Sequence, residues 1–460
     1  MDTTLSKIEV TKKIFIVILM ASPFLSGYIA FIKFEVAGVI MNLFRVILII
    51  SAIFCLILFT KNKQSVNPLI SFPNYWIDCF FIGLIVIGVV HFALGHIYKD
   101  GVSEVIGIAI CLMFFCVFTM IIGKDYKLWR FTINAFKYIG IIIAIVSCFE
   151  LVFGFKTEAS RYNELTFIQG YNYHPATSVF VNENNLSAFF LIICSIIIVQ
   201  IFEAKKAKDI CINFIELIVL SIPVASSDST IFRLGIILIV ISGIVLSGIV
   251  LKSKKEFFAR SLIVISNVSL FMFVFKKILR LIFIKLNLFV HNSIIDGEIL
   301  DKIATGDTML SQIQYADIGT VEVRKNLFLF GVETGKEHPI IGYGPSSFAH
   351  IFSNNDYFLY YTKGIVDPHN MTVEILVQYG GILSLLFICI CLVILIKSIM
   401  SVGSSINGGR NRWDYIINSI FMISFAVSTI MPSGFIDTPI YYIPLFIAAS
   451  GYYIVKNEAN

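Results

Sequence analysis

Apolar residues gather along this sequence in repeated runs of about 16 to 25 residues, the length at which an α-helix crosses a bilayer. The composition agrees, because 57% of the chain is hydrophobic and only 14% is charged. The pattern predicts an all-α, polytopic membrane protein with about twelve transmembrane helices. The predicted spans are 14–32, 43–60, 77–97, 103–122, 138–155, 186–202, 210–225, 234–251, 261–275, 372–396, 415–431 and 440–455.

A long segment separates the ninth predicted span from the tenth. It divides the chain into nine spans (1–275), one large outer loop with short helices (276–371) and three last spans (372–460). The loop opens with KKILRLIFIKLNLFVHNSII at 276–295, whose basic residues favour an amphipathic helix lying on the outer membrane surface. Entry of this stretch into the membrane is the alternative.

The basic residues of the short connections predict the orientation. KDYKLWR at 124–130, KKAK at 205–208 and KSKK at 252–255 mark one face, whereas the connections 226–232 and 432–439 contain no Lys or Arg. Positive charge is retained on the cytoplasmic side, so both termini are expected in the cytoplasm and the long loop outside. The net charge of +5 therefore indicates orientation in the bilayer rather than nucleic-acid binding.

The stretch DPHNMTVEILVQYGG, residues 367–381, runs from polar residues into the tenth span. Asp367 and Pro368 predict a helix start, because a carboxylate caps free amides and proline suits the first helical position. Helical spacing then places Asn370, Glu374 and Gln378 on one side. A polar stripe at membrane depth is expected to face protein or a water-filled cavity rather than lipid.

His369 is the candidate catalytic residue of this stretch. It is expected in the first helical turn at the membrane surface, close to Asp367 and Glu374. Histidine exchanges protons near neutral pH, so this position suits a general base. The alternative is an interfacial histidine that only hydrogen-bonds a loop.

A second polar region lies upstream, at residues 321–348. Arg324 precedes a helical pattern there, and Gly342 and Gly344 follow His338 in the segment HPIIGYGPSSF. Glycines allow a backbone to approach a ligand closely, but the strand-to-helix setting of a phosphate loop is absent. Alone, this segment predicts a turn.

Taken together, these segments resemble the outer-loop signature of the O-antigen polymerase and O-antigen ligase family. The resemblance rests on the Arg324-led segment, HPIIGYGPSSF, the HN pair at 369–370 and the GG pair at 380–381. VNENNLSAFF at 181–190 is similar to an earlier family motif, with Asn185 at the matching position. SSDSTIFRLG at 226–235 matches a further motif in part, with Arg233 as its basic residue.

The resemblance implies a bacterial inner-membrane enzyme that transfers an undecaprenyl-diphosphate-linked glycan on the periplasmic face. We expect a polymerase that adds the glycan to the acceptor sugar of another lipid-linked repeat unit. An O-antigen ligase, which moves the glycan onto lipid A core, is the nearest alternative, and a polysaccharide flippase is the alternative of another class. The expected partners are the lipid-linked donor and acceptor and the bilayer; the resemblance also allows a chain-length regulator.

The implied chemistry needs a base for the acceptor hydroxyl and cations for the departing diphosphate. His369 is the expected base. Guanidinium groups match phosphate oxygens, so three arginines are expected to bind the diphosphate. The expected substrate-binding residues are Arg324, Arg233, Arg161, Asn370, Asn185 and His338. No cofactor and no metal site are expected, because the outer loops contain no DxD pair and the arginines supply the positive charge.

Overall fold

The computed structural model is described for residues 2–29, 33–36, 39–61, 72–96, 98, 100–158, 160, 175–225, 229–270, 276–290, 320–354, 362, 365–404, 410–430 and 436–458. Within them the chain forms sixteen helices and one two-stranded sheet, so the predicted all-α class is confirmed. The helices are α1 (Asp2–Tyr28), α2 (Leu43–Lys61), α3 (Phe72–Ala93), α4 (Gly101–Ile122), α5 (Tyr126–Phe153), α6 (Glu183–Glu203), α7 (Ala207–Ala225), α8 (Thr230–Val250), α9 (Lys254–Ser269), α10 (Lys276–Val290), α11 (Thr320–Glu337), α12 (Ser347–Asn354), α13 (Met371–Tyr379), α14 (Gly381–Ser404), α15 (Arg410–Ser428) and α16 (Pro439–Glu458).

Six helices among the described residues are long and apolar enough to cross a membrane, namely α3, α4, α5, α6, α8 and α14. Each overlaps a predicted span, which confirms the class of polytopic membrane protein. The total of twelve spans and the division into three regions stay predictions.

One short hairpin departs from the sequence prediction. Strand β1 (Lys33–Val36) pairs antiparallel with β2 (Val39–Asn42), so that Lys33 faces Asn42 and Val36 faces Val39. The connection between the first two predicted spans is therefore structured rather than a plain loop, and α1 ends at Tyr28, before the predicted limit of residue 32.

Helix α6 is the centre of the bundle. It packs against α5, α7, α8, α9 and α15, and nearly its whole apolar stretch is buried. A helix that is apolar on nearly all sides suits such an enclosed position. Helices α5, α7, α8 and α9 each expose one side, whereas α15 is itself buried over nearly its whole length.

The predicted cytoplasmic segments meet at one end of the bundle. The Lys13 ammonium of α1 lies 5.8 Å from the Phe131 ring centroid of α5, and Lys124 lies 5.8 Å from the Tyr453 ring near the end of α16. The part of α1 around Lys13, the start of α5 and the end of α16 therefore share this end. We call it the basic end.

Arg130 adds two further helices to the basic end. Its guanidinium lies 2.7 Å from the Glu203 carboxylate at the end of α6 and 2.5 Å from the fully buried Asp414 carboxylate near the start of α15. Helix α15 has 19 residues and spans about 28 Å. Thr429 and Ile430, which follow its last residue, consequently lie at the opposite end. We call that end the site end.

The predicted tenth span, 372–396, is not one continuous helix. Helices α13 and α14 are separated at Gly380, where φ is +89°. The Ser384 hydroxyl in α14 donates to the Thr372 carbonyl of α13 at 3.0 Å. Twelve residues of straight helix would separate those atoms by about 18 Å, so the chain reverses at Gly380 and α14 folds back along α13.

Candidate active site

The start of α13 is fixed by two hydrogen bonds. The Asn370 side chain caps the helix by accepting from the Val373 amide at 3.1 Å, and the Met371 amide donates to the Thr429 carbonyl at 3.0 Å. The predicted helix start at Asp367 and Pro368 is therefore wrong. Capping begins three residues later, at Asn370, and His369 precedes the helix.

His369 has an unusual backbone conformation. Its φ is +47°, in the left-handed region that residues with a Cβ seldom adopt, although histidine does so more often than most. Such a conformation costs about 1–3 kcal/mol and persists only where the surroundings impose it. Buried Pro368 on one side and the capping Asn370 on the other supply that constraint. Strain of this kind gathers at functional sites.

Arg324 reaches the same place from α11. One guanidinium nitrogen donates to the Ile430 carbonyl at 2.6 Å, next to the Thr429 carbonyl that holds Met371. Adjacent Cα atoms lie about 3.8 Å apart. The end of α15 thus brings Arg324 and the segment that carries His369 together.

Close packing of α11 against α13 explains this arrangement. A Cβ at Gly331 would lie 2.1 Å from the Val373 side chain, and one at Gly335 would lie 2.6 Å from the Leu376 side chain. Two glycines four residues apart lie on the same face of α11 and leave that part of it without side chains. The backbones can therefore approach, and Val323, Leu327 and neighbouring apolar side chains form a second small core with α13.

The Arg324 guanidinium is half-buried and remains available to an anion. Burial lowers its pKa from the ordinary value to about 10, so it stays charged at neutral pH. The Ile430 carbonyl takes one of its five N–H donors. The remaining donors suit the oxygens of a diphosphate.

Arg233 also lies at the site end, in the first turn of α8. A Cβ at Gly235 would lie 2.9 Å from the Val427 side chain near the end of α15. Arg233 precedes Gly235 by about 3 Å along the helix axis, which places it at the height of Thr429. The structure thus brings His369, Arg324 and Arg233 to the same end of the bundle.

Asn185 is buried in the first turn of α6, also at the site end. Its backbone N–H donates to the Asn182 side chain at 3.0 Å, and its side-chain carboxamide hydrogen-bonds Tyr441 at the start of α16. The Asn185 side-chain oxygen is buried and accepts no hydrogen bond within the described residues. Arg161 lies outside the described residues.

His338 occupies the other end of α13. Its carbonyl accepts from the Gly342 amide at 3.0 Å, and its exposed ring lies 4.2 Å from the Tyr343 ring centroid. Helix α13 has nine residues and is about 13 Å long, so the structure does not bring His338 to His369. Its predicted role in substrate binding stays a prediction.

Residues 338–346, which we call the signature loop, hold the C-terminal end of α13. The Tyr343 amide donates to the Val377 carbonyl at 2.8 Å, and the Gly344 amide donates to the Gln378 carbonyl at 2.9 Å. The Gln378 side chain accepts from the Ser346 amide at 3.2 Å. At this end the predicted polar stripe faces protein.

Gly380 is required where the signature loop crosses the reversal between α13 and α14. A Cβ there would lie 2.1 Å from the Ile340 carbonyl oxygen, and the positive φ is itself unfavourable for alanine. We expect Gly380→Ala to lower the free energy of unfolding by about 1–3 kcal/mol, measured as a lower Tm of the detergent-solubilised protein. Gly403→Ala in α14, where a Cβ meets no atom of the described residues within 4 Å, is the control and should not lower Tm. Equal Tm values for both variants would contradict this account of the turn.

Sequence reasoning missed Glu104, in the first turn of α4. Its carboxylate accepts from the Ser346 amide at 3.0 Å, from the Ser346 hydroxyl at 2.8 Å and from the Tyr379 hydroxyl at 2.5 Å. A nearly buried acidic residue at the start of an apolar run was the available signal, since such residues are seldom tolerated without a function.

Within the described residues, no group of three or more His, Cys, Asp or Glu side chains is arranged to hold a metal ion. The expectation of metal-independent chemistry stays a prediction, and it rests on the arginines rather than on this finding.

Fold and site together define a multi-pass helical membrane protein. Residues 187–388 match the family model Wzy_C, described as O-antigen ligase. This match, over less than half of the chain, supports the O-antigen polymerase and ligase family, whose members are membrane glycosyltransferase-like enzymes. The match includes Arg233, Arg324 and His369, whereas Asn185 and Glu104 lie outside it. A comparison with curated proteins gave no match.

Proposed function

We propose that the chain is a polymerase of O-antigen or a related surface polysaccharide in the bacterial inner membrane. It would transfer an undecaprenyl-diphosphate-linked glycan to the acceptor sugar of another lipid-linked repeat unit. The observation that carries this proposal is the meeting of Arg324 and the strained His369 segment at the neighbouring carbonyls of Thr429 and Ile430.

The proposed reaction joins the acceptor hydroxyl oxygen to the anomeric carbon of the donor glycan. His369 takes the hydroxyl proton as this bond forms. The bond between the anomeric carbon and the diphosphate oxygen breaks, and its electron pair leaves with the lipid diphosphate. Arg324 and Arg233 stabilise the charge on that leaving group, so the proposed reaction needs no metal ion.

The remaining predicted binding residues are proposed to orient the sugars. The buried Asn185 oxygen offers an acceptor to a sugar hydroxyl. The Asn370 side-chain oxygen is occupied in capping, which leaves its amide hydrogens for substrate. Arg161 and His338 remain proposed binding residues on the basis of the resemblance alone.

The periplasmic placement of the site is likewise a proposal. The part of α1 around Lys13, the end of α16 and the basic KDYKLWR segment share the basic end, while Thr429 and the His369 segment lie at the other. Positive charge favours the cytoplasmic side. Cytoplasmic termini would then leave the site open to lipid-linked units in the periplasm, where a chain-length regulator could also contact it.

Two other functions remain to be separated by experiment. A ligase would perform the same chemistry with lipid A core as acceptor, and the family match covers both activities. A flippase would use a central cavity instead. Two features disfavour transport. The candidate residues His369, Arg324 and Arg233 lie at one end of the bundle, and the predicted outer loop 276–371 is long.

Deletion of the gene separates these functions by the surface glycan that remains. We expect lipid A core that carries a single repeat unit, because units are still made, exported and ligated without being polymerised. Core without glycan, together with accumulated lipid-linked polymer, would indicate a ligase, and units trapped in the cytoplasm would indicate a flippase. Restoration of long chains by the plasmid-borne gene is the control.

A further inference from the structure

Glu104 joins two segments that are distant in sequence. Ser346 belongs to the signature loop and Tyr379 ends α13, and both donate to the Glu104 carboxylate. One oxygen accepts from Ser346 twice, and the other accepts from the Tyr379 hydroxyl at 2.5 Å.

Glu104 also stabilises a strained residue. Ser346 has a φ of +57°, which a residue with a Cβ seldom adopts, and both its amide and its hydroxyl donate to Glu104. The adjacent part of the loop is supported from α3, where a His91 ring nitrogen lies 3.0 Å from the Ile341 carbonyl. The end of α3 and the start of α4 therefore hold the signature loop and the C-terminal end of α13 in place.

Helix α13 connects these contacts to His369. Tyr379 is its last residue, Met371 is its first, and the Met371 amide is held by Thr429. A helix of nine residues has little freedom to bend, so a shift or tilt at Tyr379 is transmitted over about 13 Å to the His369 end. Displacements of about 1 Å can cost an enzyme about 10²-fold in rate.

We propose that Glu104 is a positioning residue for His369, acting through Tyr379, Ser346 and the rigid helix α13. This inference rests on the proposed function of His369 as the base. Glu104 lies outside the part of the chain that matches the family model, so α4 supplies a constraint on the site from a different region of the chain.

The test compares two tyrosines that each donate to a buried carboxylate. Tyr379→Phe removes the hydroxyl that donates to Glu104, and Tyr126→Phe removes the hydroxyl that donates to Asp414 at 2.9 Å at the basic end. Turnover of purified lipid-diphosphate-linked repeat units is measured in proteoliposomes, with Tm recorded for each variant. We expect Tyr379→Phe to lower kcat about tenfold with little change in KM, and Tyr126→Phe to keep kcat at a comparable Tm.

Glu104→Gln supplies a second readout. If Glu104 and Tyr379 act as one unit, the double variant Glu104→Gln/Tyr379→Phe loses no more kcat than the worse single variant. Equal kcat for Tyr379→Phe and Tyr126→Phe, or additive losses in the double variant, would overturn the positioning role. His369→Asn, measured in parallel, keeps the two proposals apart: its retention of the parental rate would reject the base itself, whereas its inactivity beside a fully active Tyr379→Phe would reject only the inference on Glu104.

Discussion

Replacement of His369 by alanine or asparagine is expected to slow polymerisation about 10²- to 10⁴-fold, the usual contribution of a general base. The acceptor hydroxyl would then have to lose its proton to water. Asparagine is the sharper variant, because it tolerates the left-handed backbone conformation that His369 adopts and cannot serve as the base. The measurement is the rate at which lipid-linked units become polymer in proteoliposomes.

The control for this experiment is His350→Ala. His350 is an exposed histidine of α12 whose ring nitrogen lies 2.9 Å from the Asn354 side chain. Its loss should leave the rate within about twofold of the parental value, as expected for a surface substitution. A parental rate in His369→Asn would show that another group takes the proton, and Glu374, buried one turn further along α13, would be the next residue to test.

The helical class and most spans could be predicted because apolar run length is a local property of the sequence. The course of the chain around α13 could not. Asp367 and Pro368 form a good capping pattern, but Asn370 also caps well, and the left-handed His369 between them excludes an earlier start. The GG pair could be recognised as a motif. The need for glycine at Gly380, however, comes from the Ile340 carbonyl, which packs against the reversal.

Prediction from the sequence was more limited for the site than for the fold. His369 and Arg324 were recognisable from their motifs, but their meeting depends on Thr429 and Ile430, which no motif marks. Glu104 contacts Ser346 and Tyr379, 242 and 275 residues away in the sequence. A single sequence contains no local signal for contacts over such separations. The structure therefore adds the parts that position the site, whereas the sequence indicates its chemistry.

Arg324→Ala is expected to lower kcat about 10²- to 10³-fold, the usual cost of removing one group that stabilises developing charge. The variant also leaves the Ile430 carbonyl without its donor, so Tm must be recorded with the rate. Lys325→Ala, which removes the neighbouring exposed cation of α11, is the control and should retain the parental rate.

Arg324→Lys separates the charge of this residue from its shape. Lysine keeps a cation but cannot present the planar fork that matches two phosphate oxygens, so we expect an intermediate rate at neutral pH. Burial lowers the pKa of Arg324 to about 10, and the same burial would act on a lysine whose ordinary pKa is already lower. The lysine would therefore lose its proton as the pH rises, and its rate should fall at alkaline pH where the parental rate persists. A lysine variant with the parental rate and the parental pH profile would contradict the need for a guanidinium fork at this position.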